Sequence, residues 1–454
     1  MIQVSLSQLA NILEAELIGR DLDIRAISTD TRHIDKGALF IALTGERFDA
    51  HDFAEQAIEQ GALALLVSRP LPVNVPQIVV SDTRQGLGKI AAWIHQQCQT
   101  KTVAITGSCG KTTVKEMVAA ILSQKGRTLY TQGNFNNEIG VPLTLLRSCP
   151  EDDFAIIELG ANHIGEIAYT TRLVRPDAAL VNNVAASHLE GFGSLDGVKV
   201  AKGEIFEGLK PGATAVMNLD SQGETLWQPV LADKHVVTFS RQDASADFYA
   251  QSVRLDTSAR PSFTLIAPQG QREIQLNIIG EHNIANALAA AALATAVGAT
   301  LDEIKTGLEN AKNVQGRVDV SMLTPNIRLI DDSYNASVPA VKSAIDLLAT
   351  FSAVRWLILG NMAELGDESL ALHRQVGEHA SAFGFDYVLT YGEDAKIISE
   401  VCQGEHFSSH QDMMKYIERQ LDNNNQNQEH VLLVKGAHSA GMGKIVAALK
   451  EKYA

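Results

Sequence analysis

Residues 106–113 read TGSCGKTT and lie between a β-branched apolar run, TVAIT (102–106), and a helical pattern, VKEMVAAILSQKG (114–126). A glycine-rich turn at that junction lets backbone N–H groups approach a polyphosphate, and the helix N-terminus adds a partial positive charge. No other feature constrains the fold as strongly. It requires a buried strand feeding directly into a helix, the unit of a parallel sheet covered on both faces. The amides of Gly107, Ser108, Cys109, Gly110, Lys111, Thr112 and Thr113 are candidate phosphate ligands. Lys111 can reach the β- and γ-phosphates, and a threonine hydroxyl can ligate Mg²⁺. The common pattern has a glycine five residues before Gly110. Here that position is Ile105, so the loop is a shortened TGxxGKTT form. Alone, the motif implies a nucleotide phosphate and nothing more specific.

The chain has 454 residues, enough at roughly 100–200 per domain for two to four domains, with three the natural first guess. Its formal net charge of −15 repels nucleic acid and anionic membranes, so a phosphate site must be built from local lysines and amides. Four scattered cysteines (Cys98, Cys109, Cys149, Cys402) read as free thiols in a reducing compartment. The first 17 residues carry no Lys or Arg before an apolar run, so no signal peptide is expected. Residues 283–301 carry no charge, but nine of them are Ala, which suits a buried helix better than a lipid span. A soluble, cytoplasmic, monomeric protein without membrane insertion is expected.

Three α/β units follow from the alternation of apolar runs and helical patterns, at 1–98, 99–313 and 314–454. The first has strand runs at 24–28, 38–43, 64–67 and 77–80, with helices near 5–14, 52–60 and 84–98. The second has strands at 102–106, 154–159, 178–184 and 213–217, and its β-rich tract 235–280 suggests an antiparallel extension of the same sheet. The third has strands at 328–331, 356–359, 387–390 and 431–434, a polar surface loop at 422–430, and a last helix from about Lys444.

A P-loop Mg²⁺ usually takes a carboxylate from a neighbouring strand end. The segment FAIIELGANH puts Glu158 at the close of an apolar strand, where it needs a partner. The segment VNNVAASHLEGFGS puts His188 past the next strand, on the edge where open α/β sheets hold ligands. Lys202 follows 14 residues later, and on spacing alone reads as an ordinary surface or phosphate-pairing lysine. The pair Asn136–Asn137 reads equally as a turn.

The ordered set TGSCGKTT, TQGNFNNEIGVPLTLL, ELGAN, NNVAASHLEGFGS, AKGEIF, GEHNIANALAAAAL, GRVD and DDSYNA resembles the Mur ligases, ATP-dependent amino-acid or peptide ligases of peptidoglycan precursor synthesis. The segment at 28–53 is similar to the family's UDP-sugar-binding stretch, so the resemblance spans the whole chain. DDSYNA, NFNNEIG and GNMAELG look like the branch that adds D-alanyl-D-alanine. The DNPR motif of the diaminopimelate-adding branch is absent, and His438 stands where the family often has Arg.

The resemblance implies an α/β, three-domain architecture: a UDP-binding domain, a central P-loop domain and a C-terminal Rossmann-like domain. It implies Lys111 and Arg317 at the ATP phosphates, His282 and Asn283 at the adenine, and Asp332 at the ribose. Thr112 and Glu158 would hold one Mg²⁺, and Glu158, His188 and Lys202 would surround a second. Lys202 would be carbamylated by CO₂, turning a cation into a carboxylate-like ligand. Ser28, Thr31 and Arg32 would line the uridine-diphosphate end. Asn136, Asn137, Asn335 and Lys435 would face the rest of the substrates, UDP-N-acetylmuramoyl-tripeptide and D-Ala-D-Ala. The implied chemistry is phosphorylation of a carboxylate by ATP, then attack of an amine on the acyl phosphate. Competing readings are a ligase adding diaminopimelate or lysine, and a P-loop regulatory ATPase, which would hydrolyse ATP unaided.

Overall fold

A computed structural model describes residues 2–45, 48–221, 223–423 and 428–453. Of the expected polar loop at 422–430, residues 424–427 lie outside the described residues, while 422–423 end the helix His410–Asn423 and His430 begins a strand.

The N-terminal sheet has five strands in the order Glu16–Ile18, Gln77–Val79, Ala64–Val67, Ala38–Ile41 and Ala26–Ser28, parallel except for the first. The expected strand at 24–28 is divided: Asp23–Ile24 pairs instead with Val4–Ser5. This lets Ile24 join one apolar cluster with Leu6 and Leu9 of the helix Leu6–Leu13. That helix starts at Ser5, whose hydroxyl accepts the Gln8 N–H, and Thr83–Gln97 starts at Asp82, which accepts from Arg84 and Gln85.

The central sheet has nine strands, in the order Gly270–Gln275, Pro261–Ala267, Phe248–Leu255, His235–Ser240, Thr214–Asn218, Ala178–Val181, Lys101–Thr106, Phe154–Glu158 and Thr128–Tyr130. Seven are mutually parallel; of the tract 235–280 expected as an antiparallel extension, His235–Ser240 and Phe248–Leu255 join parallel, and only the hairpin from Pro261 to Gln275 pairs antiparallel. One face carries Lys111–Leu122, Leu301–Asn310 and the Ala-rich Asn283–Ala296. The small side chains of the last let it lie close to the strands, and it is buried along almost its whole length. No described helix is long and apolar enough to cross a membrane. The other face carries Thr83–Gln97, Gly140–Leu145 and Glu166–Val174, and its apolar cluster is continuous with that of the N-terminal sheet.

The C-terminal sheet runs Asp319–Thr324, Ile327–Asp332, His430–Lys435, Val354–Gly360, Tyr387–Tyr391 and Glu405–Phe407, parallel except for the first. Clusters on its two faces include Leu357 and Val376 on one side and Trp356 and Met413 on the other. The carboxyl ends of this sheet and of the central sheet flank a common cleft.

Candidate active site

Chain order reverses around Lys101–Thr106. Phe154–Glu158 lies on one side of it and Ala178–Val181 on the other, and such a crevice is where open α/β sheets bind ligands. Register brings Glu158 beside Ile105 and Val181 beside Thr106. The phosphate loop is thereby flanked by a carboxylate on one side and by Asn182–Asn183 on the other.

Gly110 closes the loop with φ +77°, and a Cβ there would lie 2.4 Å from Asn286 Oδ1 and 2.6 Å from Asn182 Nδ2. Only glycine fits. No side chain caps the helix that begins at Lys111, so its first N–H groups are free to face an anion. Three asparagines carry the loop. The Ser108 N–H donates to the Asn183 carbonyl (3.0 Å) and the Cys109 N–H to Asn183 Oδ1 (2.8 Å). Asn182 Nδ2 donates to the Cys109 carbonyl (2.9 Å) and to Asn286 Oδ1 (3.1 Å), and Asn286 donates in turn to Asn283 Oδ1 (2.9 Å). Sequence reasoning passed over Asn182, Asn183 and Asn286. The signal for the first two was an asparagine pair immediately after an apolar strand.

Lys111 Nζ donates to the Gly107 carbonyl at 2.8 Å. Burial pushes its pKa down, while Glu158 acts in the opposite direction. Glu158 is buried with both oxygens engaged: Oε2 accepts from the Thr112 hydroxyl (3.0 Å) and Oε1 from Asn136 Nδ2 (2.8 Å). The side chain of Asn136 thus holds this carboxylate. That of Asn137 accepts the Ile139 and Gly140 N–H groups and shapes the turn, the simpler of its two readings.

Lys202 is not the surface lysine that spacing alone suggested. It sits in Leu195–Gly203 with 1% exposure, because Val198, Ala201 and Ile205 turn this stretch into the core. Its ammonium lies 5.1 Å from the Phe192 ring centre, and among the described residues no hydrogen bond or ion pair holds it. Burial, then repulsion from Lys111, brings its pKa down to about 7. His188 adopts a left-handed backbone (φ 52°) at the start of the short helix Leu189–Phe192, and its Nδ1 abuts the Glu364 carboxylate from the C-terminal domain. Burial lowers its pKa, and Glu364 opposes that shift. Among the described residues no three His, Cys, Asp or Glu side chains are grouped to hold a metal, so a site at Glu158 and His188 needs a further ligand.

The cleft between the two sheets has a volume of about 1010 Å³. Lys111, Asn182, Asn183, His188, His282, Asn283, Arg317, Asp332, Asn335 and Lys435 all line it, with Ser108, Cys109 and Thr113. Thr112, Glu158 and Lys202 are buried and do not line it. His282 is pushed down to about 4 by burial and by Lys435 and Arg241, which leaves its imidazole neutral. Arg317 stacks its guanidinium 4.7 Å from the Tyr334 ring centre.

Lys435, expected to face the substrates, lines the cleft with its Nζ paired to Asp332 Oδ2 at 2.5 Å and donating to the Asn335 carbonyl at 3.0 Å. The cause is register: Asp332 and Lys435 are direct partners at the carboxyl ends of adjacent parallel strands. Burial raises the Asp332 pKa against the pull of Lys435. Ser28 and Arg32 lie outside the cleft. The Ser28 hydroxyl donates to the Asp30 and His33 carbonyls, and Arg32 chelates the Asp30 carboxylate, so Thr31 sits in a self-closed turn. Across the cleft, Cys109 Sγ meets Ser337 Oγ at 3.0 Å and the Glu190 N–H donates to the Glu364 carbonyl at 3.2 Å.

Three family models match in order: "Mur ligase family, catalytic domain" at 23–95, "Mur ligase middle domain" at 105–294, and "Mur ligase, glutamate ligase domain" at 316–438. The UDP-N-acetylmuramoyl-tripeptide--D-alanyl-D-alanine ligase of Escherichia coli (strain K12) is 53% identical over 99% of each chain. A crystal structure of MurF from Acinetobacter baumannii superposes with a TM-score of 0.93 at 34% identity, covering 98% of both chains. The MurF ligase of Thermotoga maritima in complex with ADP superposes at 0.84 with 25% identity, over 94% of this chain and 98% of that one. With a relative this similar along its full length, and a phosphate loop, a strand-end carboxylate and a C-terminal sheet facing one cleft, the chain belongs to the Mur ligase family.

Proposed function

We propose that this chain joins D-alanyl-D-alanine to UDP-N-acetylmuramoyl-tripeptide at the expense of ATP, giving the pentapeptide precursor of peptidoglycan. The observation that carries this reading is the full-length 53% identity to a ligase of that name. The site's chemistry suits it. A carboxylate oxygen of the tripeptide attacks the γ-phosphorus of ATP, the bond to the β-phosphate oxygen breaks, and ADP leaves. The amine of the dipeptide then attacks the acyl carbon, the C–O bond to phosphate breaks, and the amine proton passes to solvent. An α-amino group with a pKa near 8 is already about 10% neutral at pH 7, so no strong base is required.

Several anions converge in the first step, and Lys111, Arg317 and the uncapped helix N-terminus are the cationic groups turned toward them. Neutral His282 and Asn283 are assigned to the adenine, and Asp332, held by Lys435, to the ribose. Mg²⁺ fits the paired Thr112 hydroxyl and Glu158 carboxylate, which Asn136 orients, and it would supply charge neutralisation of the phosphates. A carbamate fits Lys202: a buried amine with a pKa of about 7 is substantially neutral at physiological pH, and among the described residues no ion pair holds it. With His188 and Glu158 it would complete a second cation site.

The uridine-diphosphate end is assigned to Ser28, Thr31 and Arg32 of residues 1–98, with ATP on 99–313 and the amine acceptor on 314–454. Cytoplasmic location and a monomeric state belong to the same reading. The test is phosphate release with a panel of UDP-muramoyl peptides and amine acceptors. Release should require both the tripeptide nucleotide and D-Ala-D-Ala. Preference for a dipeptide nucleotide with diaminopimelate or lysine would move the chain to the third-residue ligase. Hydrolysis of ATP alone, unaffected by any of them, would make it an ATPase of another kind.

A further inference from the structure

Lys115 lies one helical turn beyond Lys111 on the phosphate-loop helix, so both project from the same face. It does not line the cleft. Its side chain is 2% exposed and is among the largest fully buried side chains of the molecule. Burying an ammonium is costly, and an unbranched apolar side chain such as Met would fill the same space. The useful question is what the charge holds.

Its Nζ donates to the Thr131 carbonyl at 2.7 Å, meets the Glu116 carboxylate at 2.9 Å, and lies 5.7 Å from the Tyr130 ring centre. Thr131 is the first residue past the edge strand Thr128–Tyr130, which pairs with its neighbour over three residues only. From there the chain leaves the sheet, yet every bond that Thr131 makes leads to one place. Its N–H donates to the Ile156 carbonyl (3.1 Å), and its hydroxyl accepts the Glu158 N–H (3.0 Å). Five residues on, Asn136 holds Glu158 Oε1, while Thr112, on the helix of Lys115 itself, holds Oε2.

We propose that Lys115 is a positioning residue: its buried ammonium braces the phosphate-loop helix to the segment 131–136, and so sets Glu158 between Thr112 and Asn136. The inference rests on the reading that Thr112 and Glu158 receive the cation that accompanies ATP. It adds that the cation's affinity depends on a lysine that touches neither the cation nor the nucleotide.

The experiment measures equilibrium binding of a non-hydrolysable ATP analogue, with Mg²⁺ and with EDTA, to the full-length wild type, Lys115→Met and Lys115→Arg, beside thermal unfolding. The wild type should bind more tightly with Mg²⁺. Lys115→Met should lose at least tenfold of that enhancement while its affinity in EDTA stays within about twofold, and Lys115→Arg should recover part of it. A purely structural lysine would lower the melting temperature and both affinities together, and that result overturns the proposal. So does an undiminished Mg²⁺ enhancement in Lys115→Met. A wild type with no Mg²⁺ enhancement removes the cation from Thr112 and Glu158, and the proposal with it. Should Lys115→Met fail to fold, Lys115→Gln, which keeps a donor for Thr131 but no charge, takes its place with the same expected loss.

Discussion

Replacing Gly110 by alanine tests the loop architecture with a single methyl group. Two costs combine. The residue has φ +77°, and an L-residue held in the left-handed region costs about 1–2 kcal/mol. The new Cβ would also stand 2.4 Å from Asn286 Oδ1 and 2.6 Å from Asn182 Nδ2, so those side chains must part. Parting breaks the Asn182–Asn286 hydrogen bond and strains the one from Asn182 to the Cys109 carbonyl. A buried donor or acceptor left unpaired costs about 1–3 kcal/mol. The low end of the sum is about 2 kcal/mol. At about 2–4 °C per kcal/mol for a domain of about 150–250 residues, the transition of the body that contains the loop should fall by about 4–8 °C. If the loop swings aside instead, stability is spared, but the amides lose alignment and affinity for an ATP analogue falls at least tenfold. Calorimetry and nucleotide titration read the two outcomes separately. Gly110→Ala/Asn286→Ala should recover only the Asn286 share of the steric part and leave the Asn182 clash and the backbone part. A Gly110→Ala protein with unchanged melting and unchanged nucleotide affinity would refute this account of the loop.

Lys111→Ala should lower turnover at least 10²-fold, equivalent to about 3 kcal/mol of lost transition-state stabilisation, in a protein that melts normally. Near-normal turnover removes Lys111 from the site. Lys202→Ala should be nearly inactive and partly rescued by formate, and full activity without added carboxylate would end the carbamate reading. In CO₂-free buffer the burial of Lys202 is a stability penalty. Its folded pKa of about 7 lies below the unfolded value of 10.5, so the penalty is complete below pH 7 and fades as pH rises toward 10.5. Lys202→Met should accordingly raise the melting temperature most near pH 6, and a gain that grows with pH would contradict the assigned shift. Lys435→Met strands the buried Asp332 carboxylate and should destabilise the C-terminal domain by about 3–5 kcal/mol. Asp332→Asn in the same chain should restore much of that loss, and simple additivity of the two changes in thermal unfolding would show that the pair is not coupled.

The parts of the site that were legible are those written locally. TVAIT followed by GSCGKTT fixes strand, turn and helix within one stretch, and a carboxylate closing FAIIE is conspicuous because a fully buried parallel strand is otherwise a continuous apolar run. Among the strands that sequence reading missed, Glu16–Ile18, Thr128–Tyr130 and Glu405–Phe407 are three-residue edge segments, and Asp319–Thr324 is an edge strand with Leu323 as its one buried residue, so all have too few buried positions to leave a period. Asn182 and Asn286 meet across 104 residues, and Asp332 meets Lys435 across 103, through sheet order and register. Neither pairing is encoded in any window that a periodicity argument can see. Lys202 and Lys115 illustrate the same limit: helical spacing gives a residue's face but not the depth of what covers it.

The helix Thr83–Gln97 shares its apolar contacts between the N-terminal sheet and the central one, and its Gly88 leaves room for Tyr169 of the central domain, whose hydroxyl would stand 2.2 Å from any Cβ there. The first two sheets are consequently a single cooperative body. A chain cut at residue 98 would be left with a bare apolar face over Gly140–Leu145 and Glu166–Val174, a surface prone to self-association. The C-terminal sheet has clusters of its own, to which the central domain lends Ala259 and Ile279. The molecule is in mechanical terms one large block and one small one, joined near Gly316, with the cleft at their seam. On the proposed function, substrate held by the first 98 residues would travel with the phosphate loop, and the C-terminal block would be the part whose displacement brings the amine to the reacting carboxylate.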